Sequence, residues 1–473
     1  MHMLPEGPSF SILSAAASRQ GELLLQVLAP ERWPFDPALL PAETALVGGA
    51  VRDALLGRLR QHPDLDLVVS GDAIALARSL ASRCGGSCVV LDRERCMARL
   101  VLKGWTIDLA RQIGTSLEAD LMRRDYTINA IALPLAPGAE LLDPSGGLVD
   151  MAAGQLRAIS EANLLEDPLR LLRGVRLAAE LNLQLEPLTQ GWIGRHHQQL
   201  AAVAGERVLA ELDRLALAEA GETGLILAIQ LGLLQIWGGE GPEACPLLAT
   251  LCRREALAHG LTTAETSWAL PLARLAACLD GAAVRRLHGS RRLQQRCERL
   301  RHWRQRLKAS LQALPSQPPS SGPASATRSF APGTLPSGAL EHLAEAERLD
   351  LQRELEADFP ALALLLDPVD SDRSLQRWRD PADVLLHPRS PLDGGQLQAR
   401  LKLPPGPRLG RLIEHLTLER AFGRLPALQP PGPAEQERSL QAARSWWAAT
   451  EATAMEATAM AADGPQNADG PAT

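Results

Sequence analysis

The stretch from Leu46 to Val69 constrains the chain more than any other: Leu-Val-Gly-Gly-Ala-Val-Arg-Asp, a spacer, then Asp64-Leu-Asp66-Leu-Val-Val. Thr44 to Val47 reads as a short buried strand that Gly48-Gly49 breaks, and Ala50 to Leu56 reads as a helix that Gly57 ends. A strand, a glycine turn and a helix start leave backbone N–H groups facing outward, which makes an anion site. Arg52, in the first turn of that helix, carries a fork able to hold a phosphate. Taken alone, Gly48-Gly49 reads as a plain tight turn.

Asp64 and Asp66 stand two apart in an apolar run with Leu65, Leu67, Val68 and Val69. Strand period puts both carboxylates on one face and the leucines on the other. Like charges side by side are costly unless a cation neutralises them. Mg²⁺ takes one or two carboxylates plus phosphate oxygens. Alone, the pair also reads as solvent-facing on an edge strand. In this order, with Arg52 between, the two segments favour a phosphate and metal site over both plain alternatives.

The 473 residues allow two to four domains, and a 46% hydrophobic content is ample for their cores. A net charge of −6 means that any nucleic-acid site must be a local basic patch. The only lysines are Lys103, Lys308 and Lys402, so the basic side chains are nearly all arginine. That suits phosphate forks, although coding bias is the plainer cause. Cys84, Cys88, Cys96, Cys245, Cys252, Cys278 and Cys297 include no Cys-x-x-Cys and read as free thiols. With no signal peptide or membrane-length apolar run, the chain reads as cytoplasmic and reduced.

Residues 1–43 read as an extension with one amphipathic stretch, Ser11 to Leu28. Asp72 to Arg83 reads as a helix, and Ser87 to Leu91, Met97 to Leu102 and Trp105 to Leu109 as strands of a small sheet with helices. Asp108, expected at the end of the last strand, is either a third carboxylate beside the pair or a simple strand-end Asp. Ser116 to Asn129 carries Arg123-Arg124-Asp125-Tyr-Thr-Ile-Asn129, with Ser116 as an N-cap; a polar helix end is the plain alternative. Glu140 to Asp143 reads as a short strand.

From Leu165 the pattern turns helical. Asp167 suits an N-cap and Pro168 a first helical residue, which does not preclude a ligand role. Arg170, Arg173 and Arg176 follow at intervals of three. At about 100° per residue, Asp167, Arg170 and Arg173 can serve one site, whereas Arg176 reaches it only from the flank or braces the helix. Gly205 to Leu217 is another helix. Arg285 to Arg306 is strongly basic, either an RNA-tracking helix or the solvated face of a bundle. The expected organisation is a head over 44–160, a neck over 161–225, a body over 226–312, a linker over 313–338, a tail over 339–426 and a largely disordered terminus over 427–473.

Together these segments resemble the bacterial tRNA nucleotidyltransferase and poly(A) polymerase family, the class II branch of the polymerase-β-like nucleotidyltransferases. The matching pieces are Gly48-Gly49-x-Val-Arg52-Asp53 with Asp64-x-Asp66, Arg123-Arg124-Asp125-Tyr-Thr-Ile-Asn129-Ala and Asp143-Pro-x-Gly-Gly. Glu166-Asp167-Pro-Leu-Arg170-Leu-Leu-Arg173-Gly-Val-Arg176, Glu206-Arg207 and Leu403-Pro-Pro-Gly-Pro-Arg-Leu-Gly follow in the family's order.

The resemblance implies an α+β fold: a head with a small mixed sheet, then a helical neck, body and tail. It implies template-independent transfer of a nucleoside monophosphate from CTP or ATP to an RNA 3′ hydroxyl, with release of pyrophosphate. Asp64 and Asp66 would hold Mg²⁺; apart from the resemblance, the residue pattern keeps Asp108 as a candidate third catalytic carboxylate. Gly48, Gly49 and Arg52 would hold phosphates, and Arg124 would sit by the nucleotide. Asp167 and Arg170 would hydrogen-bond the incoming base in place of a template. Arg173 and Arg176 carry over as further nucleotide contacts.

Two features depart from the family's pattern. Full CCA-adding members carry a longer flexible loop before the Arg-Arg-Asp motif, where this chain has only Ala110 to Asp120. In the family, loss of that loop goes with enzymes that add two C residues and leave the final A to a partner enzyme. Leu177 and Tyr126 replace the commoner Phe. The favoured expectation is therefore C or CCA addition to tRNA. A poly(A) polymerase shares every motif, but the absence of Lys or Arg after Arg444 disfavours it. Intact Asp64 and Asp66 disfavour a non-catalytic RNA-binding protein.

Overall fold

The structure, a computed structural model, describes residues 17–312, 335–425 and 432–462. The chain is α+β and divides into two compact units, one of residues 1–245 and 286–289, the other of residues 246–285 and 290–473.

The first unit is built on a mixed sheet of order β3-β4-β5-β2-β1-β6. Its strands are β1 (Ala45–Val47), β2 (Leu65–Val69), β3 (Ser87–Asp92), β4 (Met97–Leu102), β5 (Trp105–Arg111) and β6 (Ala132–Pro134). β2 and β5 run parallel, and every other pairing is antiparallel. Alternation sorts the side chains as expected. Leu65, Leu67, Ile107, Leu109, Leu100 and Leu102 are buried on one face, and Asp66 and Asp108 fall on the other. Helix α1 (Gly49–Leu55) packs on β1 and β2, and α2 (Ala73–Cys84) packs on β4, β3 and β5. Asp72 caps α2 through the Ala75 N–H, and Gly85 closes it with φ 75°.

The second face is only partly covered. Ala45, Val47 and Val68 pack with Leu121, Ala130 and Ala132. Towards β3 and β4 the face is open, and Val89, Leu91 and Val101 stay exposed. Asp66, paired in register with Val47 on β1 and Asp108 on β5, sits where the covered part meets the open part.

Helices α3 (Leu117–Leu121), α4 (Glu161–Glu166), α5 (Leu169–Leu181), α6 (Gly205–Leu217) and α7 (Gly221–Gln230) complete the parts of this unit that matter for the site. Both α6 and α7 pack on α5. Gly174 lets α5 come down on Tyr126: a Cβ there would stand 1.9 Å from the Tyr126 Oη, which donates to the Arg170 carbonyl at 2.7 Å.

In the second unit, α8 (Thr263–Cys278) opens with a capping box of Thr262 and Glu265 and packs on the basic helix α9 (Arg291–Gln312). Many α9 charges are spent inside this unit. Arg296 pairs with Asp358, Arg306 with Glu347, and Arg299 donates to the Glu354 carbonyl. The solvated-face alternative is too simple for this helix, because Cys297, Leu300, Trp303 and Leu307 bury its apolar stripe.

Four local expectations need correcting. Asp108 lies inside β5, which runs on to Arg111, because β2 continues beside it to Val69. Glu140 to Asp143 forms no strand and contributes only a bridge from Leu142 to Ala132; the sheet edge is β6. Ala339 to Leu365 is broken into α10 (Glu345–Leu355) and α11 (Phe359–Ala363), the latter opening with Pro360 in its first turn. Within the terminus expected to lose order, Pro433–Ala462 forms α12, while 427–431 and 463–473 lie outside the described residues. Leu440, Ala443 and Trp447 recur at helical spacing and pack with Leu397, Leu412 and Leu416. The linker expected over 313–338 falls outside the described residues as far as 334, beyond which Leu335 is buried.

Candidate active site

Gly48 takes φ 72° and ψ −134°, a backbone open to glycine but not to L side chains. A Cβ there would fall 2.9 Å from the Asp66 Oδ2 and 3.7 Å from an Arg124 guanidinium nitrogen. The glycine turn is thus laid directly on the carboxylate of the next strand, and the sequence proximity of the two motifs becomes contact.

From that turn a polar chain leads to the neck. Arg52 bonds Asp53 (Nε to Oδ1, 2.8 Å) and Asn129 (Nη1 to Oδ1, 2.8 Å). Asn129 donates to Asp125 at 3.1 Å, and Asp125 pairs with Arg173 of α5 at 3.0 Å. Burial pushes the Asp125 carboxyl up, but the Arg173 charge and the bonds from Asn129 and the Tyr126 N–H outweigh it and hold the group below its usual range. Asp125 and Asn129 are therefore the joints between head and neck motifs, a role spacing alone does not reveal.

Arg124 reaches towards the same carboxylate from the other side. It donates to Asp120 at 3.3 Å, and its Nε is buried without a partner. Asn163 holds the preceding backbone, donating to the carbonyls of Met122 (2.8 Å) and Arg124 (2.7 Å). Asp108 is forked by Arg99 of β4, with both bonds 2.8 Å. Arg99 has no sequence signature beyond standing opposite Asp108 in the β4–β5 register.

Asp66 is short of compensating charge. Its carboxyl is pushed up to about 6, first by burial, with Arg124 and Arg173 pulling it down and Asp108 and Asp64 pushing it up. Asp64, one residue before β2, is exposed. Among the described residues no group of three or more His, Cys, Asp or Glu could hold a metal ion by itself. Two neighbouring carboxylates whose charge is under-neutralised fit a hard divalent cation that draws its remaining oxygens from a bound substrate.

The neck residues divide. Asp167 accepts from the Leu169 N–H at 3.2 Å and from Arg207 of α6 at 2.7 Å. Arg170 donates to the carbonyls of Asn163 (2.6 Å) and Arg123 (3.3 Å). Arg173 remains half-exposed beside Asp125, and its charge reaches Asp66. Arg176 is buried and turned away, bonded to Glu211 of α6 at 2.5 Å and to Glu180. Of the two sequence readings for Arg176, bracing describes this position. The structure thus brings Gly48, Asp66 and Arg124 into one cluster, adds Arg52 and Arg173 through Asn129 and Asp125, and sets Asp167 and Arg170 at the start of α5.

The connection from β5 to α3 is short, residues 112–116, and is tied down by the Ile113 N–H on the Asp120 carboxylate at 2.8 Å. No helix among the described residues is long and apolar enough to cross a membrane.

The chain is similar to known proteins. Residues 44–157 match the poly A polymerase head domain, and residues 182–240 match a probable RNA and SrmB-binding site of polymerase A. The chain is 47% identical over 204 residues to a CC-adding tRNA nucleotidyltransferase of Synechocystis, covering 43% of this chain and 49% of that protein. It is 39% identical over 210 residues to an A-adding tRNA nucleotidyltransferase of Deinococcus radiodurans, covering 43% and 46%. The chain spans about half the length of these curated relatives. The Thermotoga maritima CCA-adding enzyme complexed with tRNA shares the fold, with a TM-score of 0.62 at 20% identity over 94% of this chain and all of that one.

Proposed function

We propose that this chain is a class II tRNA nucleotidyltransferase, with a poly(A) polymerase head and an RNA-binding region, and that it adds C residues to the 3′ end of tRNA. The reaction joins the CTP α-phosphorus to the tRNA 3′ oxygen and releases pyrophosphate. The observation that carries this reading is the contact of the Gly48 turn with Asp66 beneath Arg124. It puts backbone and guanidinium donors suited to phosphate next to an under-neutralised carboxylate.

In this reading Asp64 and Asp66 would hold Mg²⁺, which would polarise the phosphate and the attacking hydroxyl. Gly48, Gly49, Arg52 and Arg124 bind triphosphate oxygens, and Arg173 adds positive charge beside them. Asp108, held by Arg99, is a reserve carboxylate on the same face. Asp167 accepts from the exocyclic amine of the base and Arg170 donates to its acceptors, an edge that C and A share. Arg176 braces the neck on which those readers stand. The enzyme works in the cytoplasm.

The short 112–116 connection favours stopping after two C residues, with a separate A-adding enzyme completing the end. Similarity to the Deinococcus protein favours a second reading, A addition. Labelled CTP and ATP offered separately to transcripts lacking CCA, ending in C and ending in CC decide between them. Addition from CTP that stops at CC supports the proposal. Use of ATP alone on the CC-ended transcript supports A addition, and long A tracts without CTP use assign a poly(A) polymerase.

A further inference from the structure

We infer that Arg207 is a positioning residue for nucleotide choice, acting through Asp167; the inference rests on the reading of Asp167 as the base-facing carboxylate. Asp167 lies between α4 and α5 in an extended conformation, φ −141° and ψ 101°. One oxygen accepts from the Leu169 N–H at 3.2 Å, a long bond that leaves the carboxylate free to swing about its broad terminal torsion. The other accepts from the Arg207 Nη2 at 2.7 Å, across 40 residues of sequence. The two bonds together set the carboxylate plane and leave each oxygen a lone pair for a substrate.

Arg207 is itself well placed to act as a fixed point. Gly205, at the start of the same helix, packs against the backbone at Arg286 and Leu287, where a Cβ would meet atoms at 2.9 Å. Val208 and Leu212 are buried. Four residues on, Glu211 lies on the same ridge as Arg207 and binds Arg176 of α5 at 2.5 Å. Helix α6 thus grips the base-reading helix at two points, Asp167 and Arg176.

The chemistry of the site gives this grip a consequence. A fixed carboxylate accepts from the amine of cytosine and repels the keto oxygen that uracil presents at the same place. Engaged with Asp167, the Arg207 N–H groups are withheld from the base edge. Once released or removed, Asp167 turns and the distinction weakens. Arg207 is half-exposed, and exposed ion pairs add little stability, so its loss registers in selection and not in folding.

The test measures kcat/KM for CTP and for UTP on tRNA lacking CCA, together with the melting temperature, for wild type, Arg207→Ala, Arg207→Gln and Asp167→Ala. Expected is a roughly tenfold drop in the CTP-over-UTP ratio for Arg207→Ala at an unchanged melting temperature. Arg207→Gln is expected to show the same drop, and it decides the matter if the alanine variant melts early. An unchanged ratio in both Arg207 variants, with the ratio collapsed in Asp167→Ala, overturns this inference alone. An unchanged ratio in Asp167→Ala overturns the base-reading assignment and this inference with it. An equal loss with both nucleotides in the Arg207 variants marks a merely structural role and also overturns it.

Discussion

Gly48 and Asp66 are packed so closely that the smallest side chain at position 48 would stand 2.9 Å from the Asp66 carboxylate. The glycine is needed twice over, for its φ of 72° and for this approach.

Gly48→Ala is therefore expected to push Asp66 and Arg124 out of place while the rest of the sheet folds. A shift of about 1 Å at a reacting centre costs about 100-fold in rate. Single-turnover CMP incorporation should fall by that order, with circular dichroism unchanged.

The crowding of Asp66 by Asp64 and Asp108 predicts a cation response that does not depend on turnover. Millimolar Mg²⁺ should raise the melting temperature of the wild type by a few degrees, because it binds only the folded site. Asp66→Asn should lose most of that rise and, without divalent ions, melt no lower than the wild type. Chelation of the metal should abolish CMP incorporation. A full Mg²⁺ shift in Asp66→Asn would remove Asp66 from the metal site.

Arg176 and Glu211 are 5% and 6% exposed, so removing Arg176 leaves the Glu211 carboxylate buried without its partner. Such losses cost about 3–5 kcal/mol. Arg176→Ala should show that destabilisation in urea unfolding of the first unit, with the KM for CTP of the folded fraction within about threefold of wild type. A large rise in KM without destabilisation would make Arg176 a substrate contact instead.

Glu265 supplies a pH signature in the second unit. Arg379 donates to both its oxygens, at 2.8 and 2.6 Å, and the Thr262 N–H adds a third bond. Led by the Arg379 bonds, these bring the carboxyl from 4.5 down to about 2. Because the folded value lies below the unfolded one, the stabilisation is complete above pH 4.5 and is lost as pH falls towards 2. Glu265→Gln should melt below wild type at pH 7, and the gap should close across that acid window. A gap that stays constant with pH would refute the assignment.

Much of the site was legible in the order of residues. The β2 alternation, the Gly48 turn, the Ser116 cap and the helix over Gly205 to Leu217 are all local, set by strand and helix periods and by capping chemistry. Arg99 on Asp108, Asn129 on Arg52 and Arg207 on Asp167 were not. Each joins side chains distant in sequence whose types are common on any surface, and no local period marks such a pair.

Arg176 draws the line most plainly. Spacing along α5 left it either flanking the site or bracing the helix, and nothing within the helix could choose. Helix α6 chose, by burying Glu211 against it, since a charge removed from water must find its counter-charge wherever packing has put one. Periodicity determined which faces the motifs occupy; only the packing of the elements decided which of their charges remain available to a substrate.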